Sequence, residues 1–123
     1  LRLNDNCHTI MSELMESNPN NNIAVNYMLC SDLLLKDMET FKHDYDAYYL
    51  KQQNVTYEKL YQEALAIYLA GTKAPPAEWA KYIKRQDVLQ RFHQYNEERG
   101  NQAFSDTYWY YFDKAEVPKL NIN

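Results

Sequence analysis

Glycine occurs twice and proline four times in 123 residues. That is too few for the many tight turns of a β-sandwich or barrel, where these residues supply the turn conformations. Positive charge is also short, with 13 Lys and Arg against 17 Asp and Glu and a net charge of −4. Phosphate binding needs a concentrated basic face, so a nucleic-acid partner is excluded. The one basic cluster, Lys81, Lys84, Arg85 and Arg91, alternates with Glu78 and Asp87 and reads as a solvated helix face. No apolar run approaches the ~18 residues that a membrane helix requires. The chain starts at Leu1 with no basic stretch leading into an apolar one, so any targeting segment is expected outside it or removed. What is abundant is aromatic: 12 Tyr stand out, within 15% aromatic, 46% hydrophobic and 24% charged residues. That balance excludes a disordered, collagen-like or coiled-coil chain and suits one globular domain.

The hydrophobic rhythm is helical throughout. Leu3, Cys7, Ile10, Met11, Leu14 and Met15 recur at i, i+3, i+4 spacing and mark one face of a first helix. Asn18-Pro19 stops it, and the Asn-rich stretch to Asn22 forms a turn. A second stripe, Ile23, Ala24, Tyr27, Met28, Cys30 and Leu33 to Leu35, covers more than half the circumference and predicts a central helix. Met38, Phe41, Tyr45, Tyr48 and Tyr49 give a third helix. Thr56 is expected to cap a fourth, with Tyr57, Leu60, Tyr61, Ala64, Leu65 and Tyr68 inward and Gly71 at its C-terminal cap. Pro76 opens a short helix bearing Trp79, Tyr82 and Ile83. Val88, Leu89, Phe92 and Tyr95 line the next, which Gly100 ends, and Asn101 is expected to cap a last helix with Phe104, Tyr108, Trp109, Tyr111 and Phe112. No segment alternates as a half-buried strand does. The predicted fold is all-α, an antiparallel stack of αα-hairpins with about six helices, residues 1–115 forming one domain and 116–123 a tail.

Asn18-Pro19-Asn20-Asn21, Tyr27-Met28-Leu29 and the run from Leu34 to Phe41 carry a likeness, as do Tyr61 to Tyr68 and Ser105 to Tyr111. In these segments the sequence resembles a Bacteroidota family of uncharacterised multi-pass membrane proteins. The resemblance implies a tetratricopeptide-like helical C-terminal region and tethering to a membrane through a segment outside this chain, and it brings no catalytic residue. Lys36-Asp37 occupies the turn between the two helices of such a repeat. Phe41, however, stands where the second helix places a small residue, and no second copy follows after about 34 residues. The expectation is tetratricopeptide-like hairpins without a repeat.

Chemistry-bearing residues are sparse. Cys7 and Cys30 fall roughly level on two antiparallel helices folded about Asn20, where they either form a disulfide or pack as buried thiols; buried thiols are the default. His8, His43 and His93 are spread over three helices without metal-ligand spacing, so no metal and no cofactor are expected. Neighbouring carboxylates such as Asp44 with Asp46, or Glu97 with Glu98, do not share a helix face. No nucleophile elbow holds Ser12, Ser31 or Ser105, and two glycines make no phosphate cradle.

The aromatics remain. Tyr108, Trp109, Tyr110, Tyr111 and Phe112 are consecutive and encircle a helix, so with Tyr108, Tyr111 and Phe112 inward, Tyr110 and part of Trp109 should face outward. Tyr48-Tyr49 poses the same question. Tyr and Trp anchor interfaces, and Tyr48, Tyr49, Trp109 and Tyr110 are the expected contact residues of a non-catalytic interaction or scaffolding domain, placed extracytoplasmically. The partner would be another protein or a further part of the same chain. The alternatives are an aromatic pocket for a glycan or small ligand, and a purely structural domain.

Overall fold

The computed structural model describes Cys7, Ser12, Glu16, residues 22–53 and residues 55–117. From residue 22 onward the described residues form six α-helices in order: α1 Ile23–Leu34, α2 Met38–Asp44, α3 Lys59–Gly71, α4 Pro76–Tyr82, α5 Gln86–Glu97 and α6 Tyr108–Lys114. A single π turn, Tyr45–Tyr49, prolongs α2, and a 3₁₀ turn, Gln102–Phe104, precedes α6. The described residues contain no strand, and the fold is all-α.

Local chemistry sets most of the boundaries. The Asn22 side chain accepts the N–H groups of Ala24 and Val25 and starts α1. Lys36, in the left-handed conformation at φ 57°, breaks the chain away, and Asp37 restarts it by accepting from Thr40 N at 3.1 Å. Pro76 sits in the first turn of α4, where a missing N–H costs nothing. Gly100, at φ 86°, turns the chain after α5.

Four boundaries differ from the sequence reading. Thr56 does not cap α3; its hydroxyl donates to Glu58 Oε1, and the helix begins at Lys59. Gly71 is the last helical residue of α3 and not its cap, which is Thr72. Asn101 caps only the 3₁₀ turn, and Thr107 caps α6 by accepting from Tyr110 N, because the chain bends between Phe104 and Thr107. Tyr45–Tyr49 winds as a π turn, an extra backbone residue that spacing does not encode.

The helices pack as successive hairpins, α1 against α2, α2 against α3, and α3 in turn against α4, α5 and α6. The central helix is therefore α3 and not the one after Asn22. Every residue from Leu60 to Ala66 is buried, whereas α1 buries one stripe, Val25, Asn26, Leu29, Cys30 and Leu33, and exposes Ile23, Ala24 and Tyr27. An apolar composition all round α1 hid that one-sidedness. Of the first predicted stripe, Cys7 is helical and buried; Leu3, Ile10, Met11, Leu14 and Met15, the turn before Asn22 and the tail from Pro118 lie outside the described residues.

Buried polar groups position the later helices. Gln62, fully buried, donates to Tyr82 O at 2.8 Å and accepts from Lys84 N at 2.7 Å, fastening the α4–α5 junction to α3. An unpaired buried amide would cost about 1–3 kcal/mol, so these bonds are what makes Gln tolerable at that position.

Candidate functional site

The consecutive aromatics of α6 point in two directions. Tyr108 and Tyr111 stack on each other with centroids 5.6 Å apart and send their hydroxyls to Leu33 O at 2.7 Å and Leu34 O at 2.8 Å, the open carbonyl end of α1. Trp109 turns the other way, packs on Phe92 and Tyr95 of α5, and donates its indole N–H to Glu63 O at 2.8 Å. The short helix is thus wedged between α1 on one side and α3 with α5 on the other. That accounts for a correction: Trp109, 1% exposed, does not face outward and offers no contact surface. Tyr49 is likewise 1% exposed; it stacks on Tyr45 and donates to Thr56 O at 2.7 Å. Burial pushes its hydroxyl up to about 12.

Two of the four expected contact residues stay accessible. Tyr48 is 50% exposed and Tyr110 is half-buried. The structure adds Tyr27 at 55%, Tyr57 at 43% and Ile23 at 41% exposure. Helical spacing had placed all three inward. Their positions converge at one end of the stack, since Asn22 N donates to Gln52 Oε1 at 3.1 Å and Tyr49 ties to Thr56. Those bonds gather the start of α1, the end of the π turn and the approach to α3. Tyr27 follows Ile23 by one helical turn, on the same face. Seven of the 12 tyrosines are buried, so this exposed group is a local feature and not the general state of the residue.

A concave site lies elsewhere, between α3, α5 and α6. A cavity of about 270 Å³ is walled by Ile67, Phe92, Tyr95, Trp109 and Phe112, with Arg99 and Asp113 also lining it. Gly71 borders it as well, and a Cβ added there would meet no atom within 4 Å. The Asp113 carboxylate is already engaged, because the Tyr95 hydroxyl donates to it. Burial, reinforced by that carboxylate, raises the Tyr95 hydroxyl to about 12.

The strongly perturbed acids sit away from this cavity. Glu63, 2% exposed, accepts Tyr108 N at 3.0 Å through Oε1, while Oε2 is buried without a partner. Burial raises its carboxyl to about 7 against the opposing pull of that N–H. Asp32 on α1 is raised to about 8, first by burial and then by the neighbouring Asp44 carboxylate. Sequence spacing missed both, because each reads as an ordinary polar residue on a helix. Among the described residues no three His, Cys, Asp or Glu side chains converge as a metal site, and His43 and His93 are exposed. His8 lies outside the described residues.

The sequence profile of a family of unknown function (DUF6057) matches residues 1–115. The chain belongs to this family. No curated protein and no solved structure matches it. Membership of the DUF6057 family carries no activity. Among the described residues no helix is long and apolar enough to cross a membrane.

Proposed function

We infer that this domain is a non-catalytic helical interaction or scaffolding module of a membrane-anchored bacterial protein, held on the extracytoplasmic side by a segment outside this chain. The single observation that carries the interaction reading is the exposed hydrophobic group Ile23, Tyr27, Tyr48 and Tyr57 at one end of the hairpin stack. Tyrosine presents a large, rigid, amphipathic surface at low entropic cost, and such residues cluster at interface centres. Of the perturbed acids, Glu63 fastens α6, and neither it nor Asp32 lines the cavity. Membrane tethering and the tetratricopeptide-like character rest on the sequence resemblance alone.

A photo-crosslinking amino acid placed at Tyr48 or Tyr27 of the full-length protein in its host tests the reading. Both positions should give the same discrete adduct, and Glu97, exposed on α5, should give none. An adduct within the same chain would support the structural alternative, and no adduct at either tyrosine would reject a contact surface there.

A second reading has one observation in its favour, the aromatic cavity beside Trp109. Occupation by a glycan or small apolar ligand would stack on Phe92 and Phe112 and change Trp109 emission. Titration with an oligosaccharide panel that leaves the emission unchanged would count against a glycan.

A further inference from the structure

The cavity between α3, α5 and α6 has a lining in two parts. Its floor is aromatic, with Phe92, Tyr95 and Trp109 all buried and the Phe92 and Trp109 ring centroids 5.1 Å apart. Its rim is charged: Arg99, just past the end of α5, and Asp113, in the last turn of α6, both line it and both are exposed. Among the described residues neither of them is in an ion pair. Arg99 donates one N–H to Asn96 Oδ1 at 3.0 Å, and Asp113 Oδ2 accepts the Tyr95 hydroxyl. The guanidinium therefore keeps most of its donors, and the carboxylate keeps its second oxygen. A cation and an anion stand at the mouth of one apolar cavity, each held by a neutral neighbour and not by the other.

Volume and chemistry narrow the occupant. Benzene fits a cavity of about 150 Å³, so about 270 Å³ admits one ring and a further group of similar size. A sugar, with a hydroxyl on nearly every carbon, would bring more donors and acceptors than this lining can satisfy, because ring faces make up most of it. A purely apolar molecule would gain nothing from the two rim charges. A head of one sign would meet a like charge at the mouth.

We propose that the cavity binds a compact aromatic zwitterion, the chemistry of a free α-amino acid with an aromatic side chain, its ring against Trp109, its carboxylate on Arg99 and its ammonium on Asp113. This rests on the cavity reading given above and assigns the class of ligand within it. The planar fork of Arg99 suits a carboxylate through two parallel N–H bonds. The Tyr95 hydroxyl holds the Asp113 carboxylate, so less side-chain freedom is lost when its open oxygen accepts from an ammonium.

Calorimetric titration of the 123-residue chain with L-phenylalanine tests the assignment, with its N-acetyl derivative, its methyl ester, toluene and maltose in parallel. Phenylalanine should bind with a dissociation constant below about 5 mM. Each blocked derivative lacks one charge and should bind at least about tenfold more weakly. Arg99→Gln and Asp113→Asn should each weaken phenylalanine by about the same factor, with thermal melts checking that the fold is kept. Equal binding of phenylalanine, its blocked derivatives and toluene would overturn the zwitterion and leave the cavity a general apolar site. Maltose binding without phenylalanine binding would overturn it in favour of a glycan. Silence of all five up to about 5 mM would overturn it and count against any small ligand in the cavity. Phenylalanine binding unchanged in both variants would place the ligand elsewhere and overturn the assignment. The comparison among ligands on the wild-type chain decides the matter even where a variant does not fold.

Discussion

Glu63 Oε1 accepts the main-chain N–H of Tyr108 at 3.0 Å, joining the middle of α3 to the first residue of α6 across 45 positions of sequence. The bond serves one oxygen and leaves the other buried and unpaired. The ionised carboxylate is therefore held where it is poorly solvated, and the folded state favours the proton.

A pH dependence follows from this. The carboxyl is raised from 4.5 to about 7 by folding, so its contribution to stability is complete below pH 4.5 and is lost as pH climbs through 7. That rise corresponds to roughly 3 kcal/mol for a group this buried. Asp32, raised to about 8, acts with the same sign. Urea midpoints should fall between pH 5 and pH 8 in the wild type. Glu63→Gln should flatten that fall, and Asp32→Asn should remove a separate part at the alkaline end. A midpoint that rises with pH over this interval would contradict the assignment.

Trp109 is a structural wedge, so its replacement should register in stability. Trp109→Ala removes packing on Phe92 and Tyr95 as well as the indole bond to Glu63 O, and should cost about 3–5 kcal/mol in chemical denaturation followed by circular dichroism. Trp109→Phe keeps a ring and loses the donor, and should cost clearly less. Near-equal midpoints for Trp109→Ala and the wild type would place the ring outside the core.

The two glycines should respond oppositely to alanine. Gly71 is helical with open space beyond its Cα, so Gly71→Ala should raise stability by about 0.4–1 kcal/mol. Gly100 holds φ 86°, and a Cβ would come within 3.3 Å of the Lys114 side chain, so Gly100→Ala should lower it by about 1 kcal/mol or more. Thermal melts of the two variants side by side check the contrast.

Tyr27 and Tyr48 should be nearly silent in folding. Each is about half exposed, and Tyr27→Ser or Tyr48→Ser should shift unfolding free energy by no more than about 0.5 kcal/mol. The same changes should abolish the crosslink expected at that end of the stack. A large loss of stability would show that the rings complete the core.

Much of the fold was legible where one side of a helix carries its apolar residues. Cys30 and Leu33, Tyr61 and Leu65, and Val88, Phe92 and Tyr95 all fall inward as their spacing requires. What failed was governed by distant partners. Gln62 and Glu63 are buried because Tyr82, Lys84 and Tyr108 supply their hydrogen bonds, and no local pattern announces those partners. Part of Trp109 is expected outward on the premise that a helix hides one stripe, but α6 is short enough to be enclosed on two sides. Tyr27 shows the converse, with helical spacing kept and the ring left 55% exposed, whereas Tyr57 falls before the first residue of α3. Of the expected contact group, Tyr48 and Tyr110 keep accessible surface while Tyr49 and Trp109 do not.

The hydroxyls of Tyr108 and Tyr111 terminate α1 from 75 and 77 residues downstream. A ribosome must therefore make nearly the whole domain before its first described helix gains its final partners. Until then the carbonyl of Leu33 has only local partners, Lys36 N among them, and a protease that trims α6 would loosen the C-terminal end of α1 along with the cut segment.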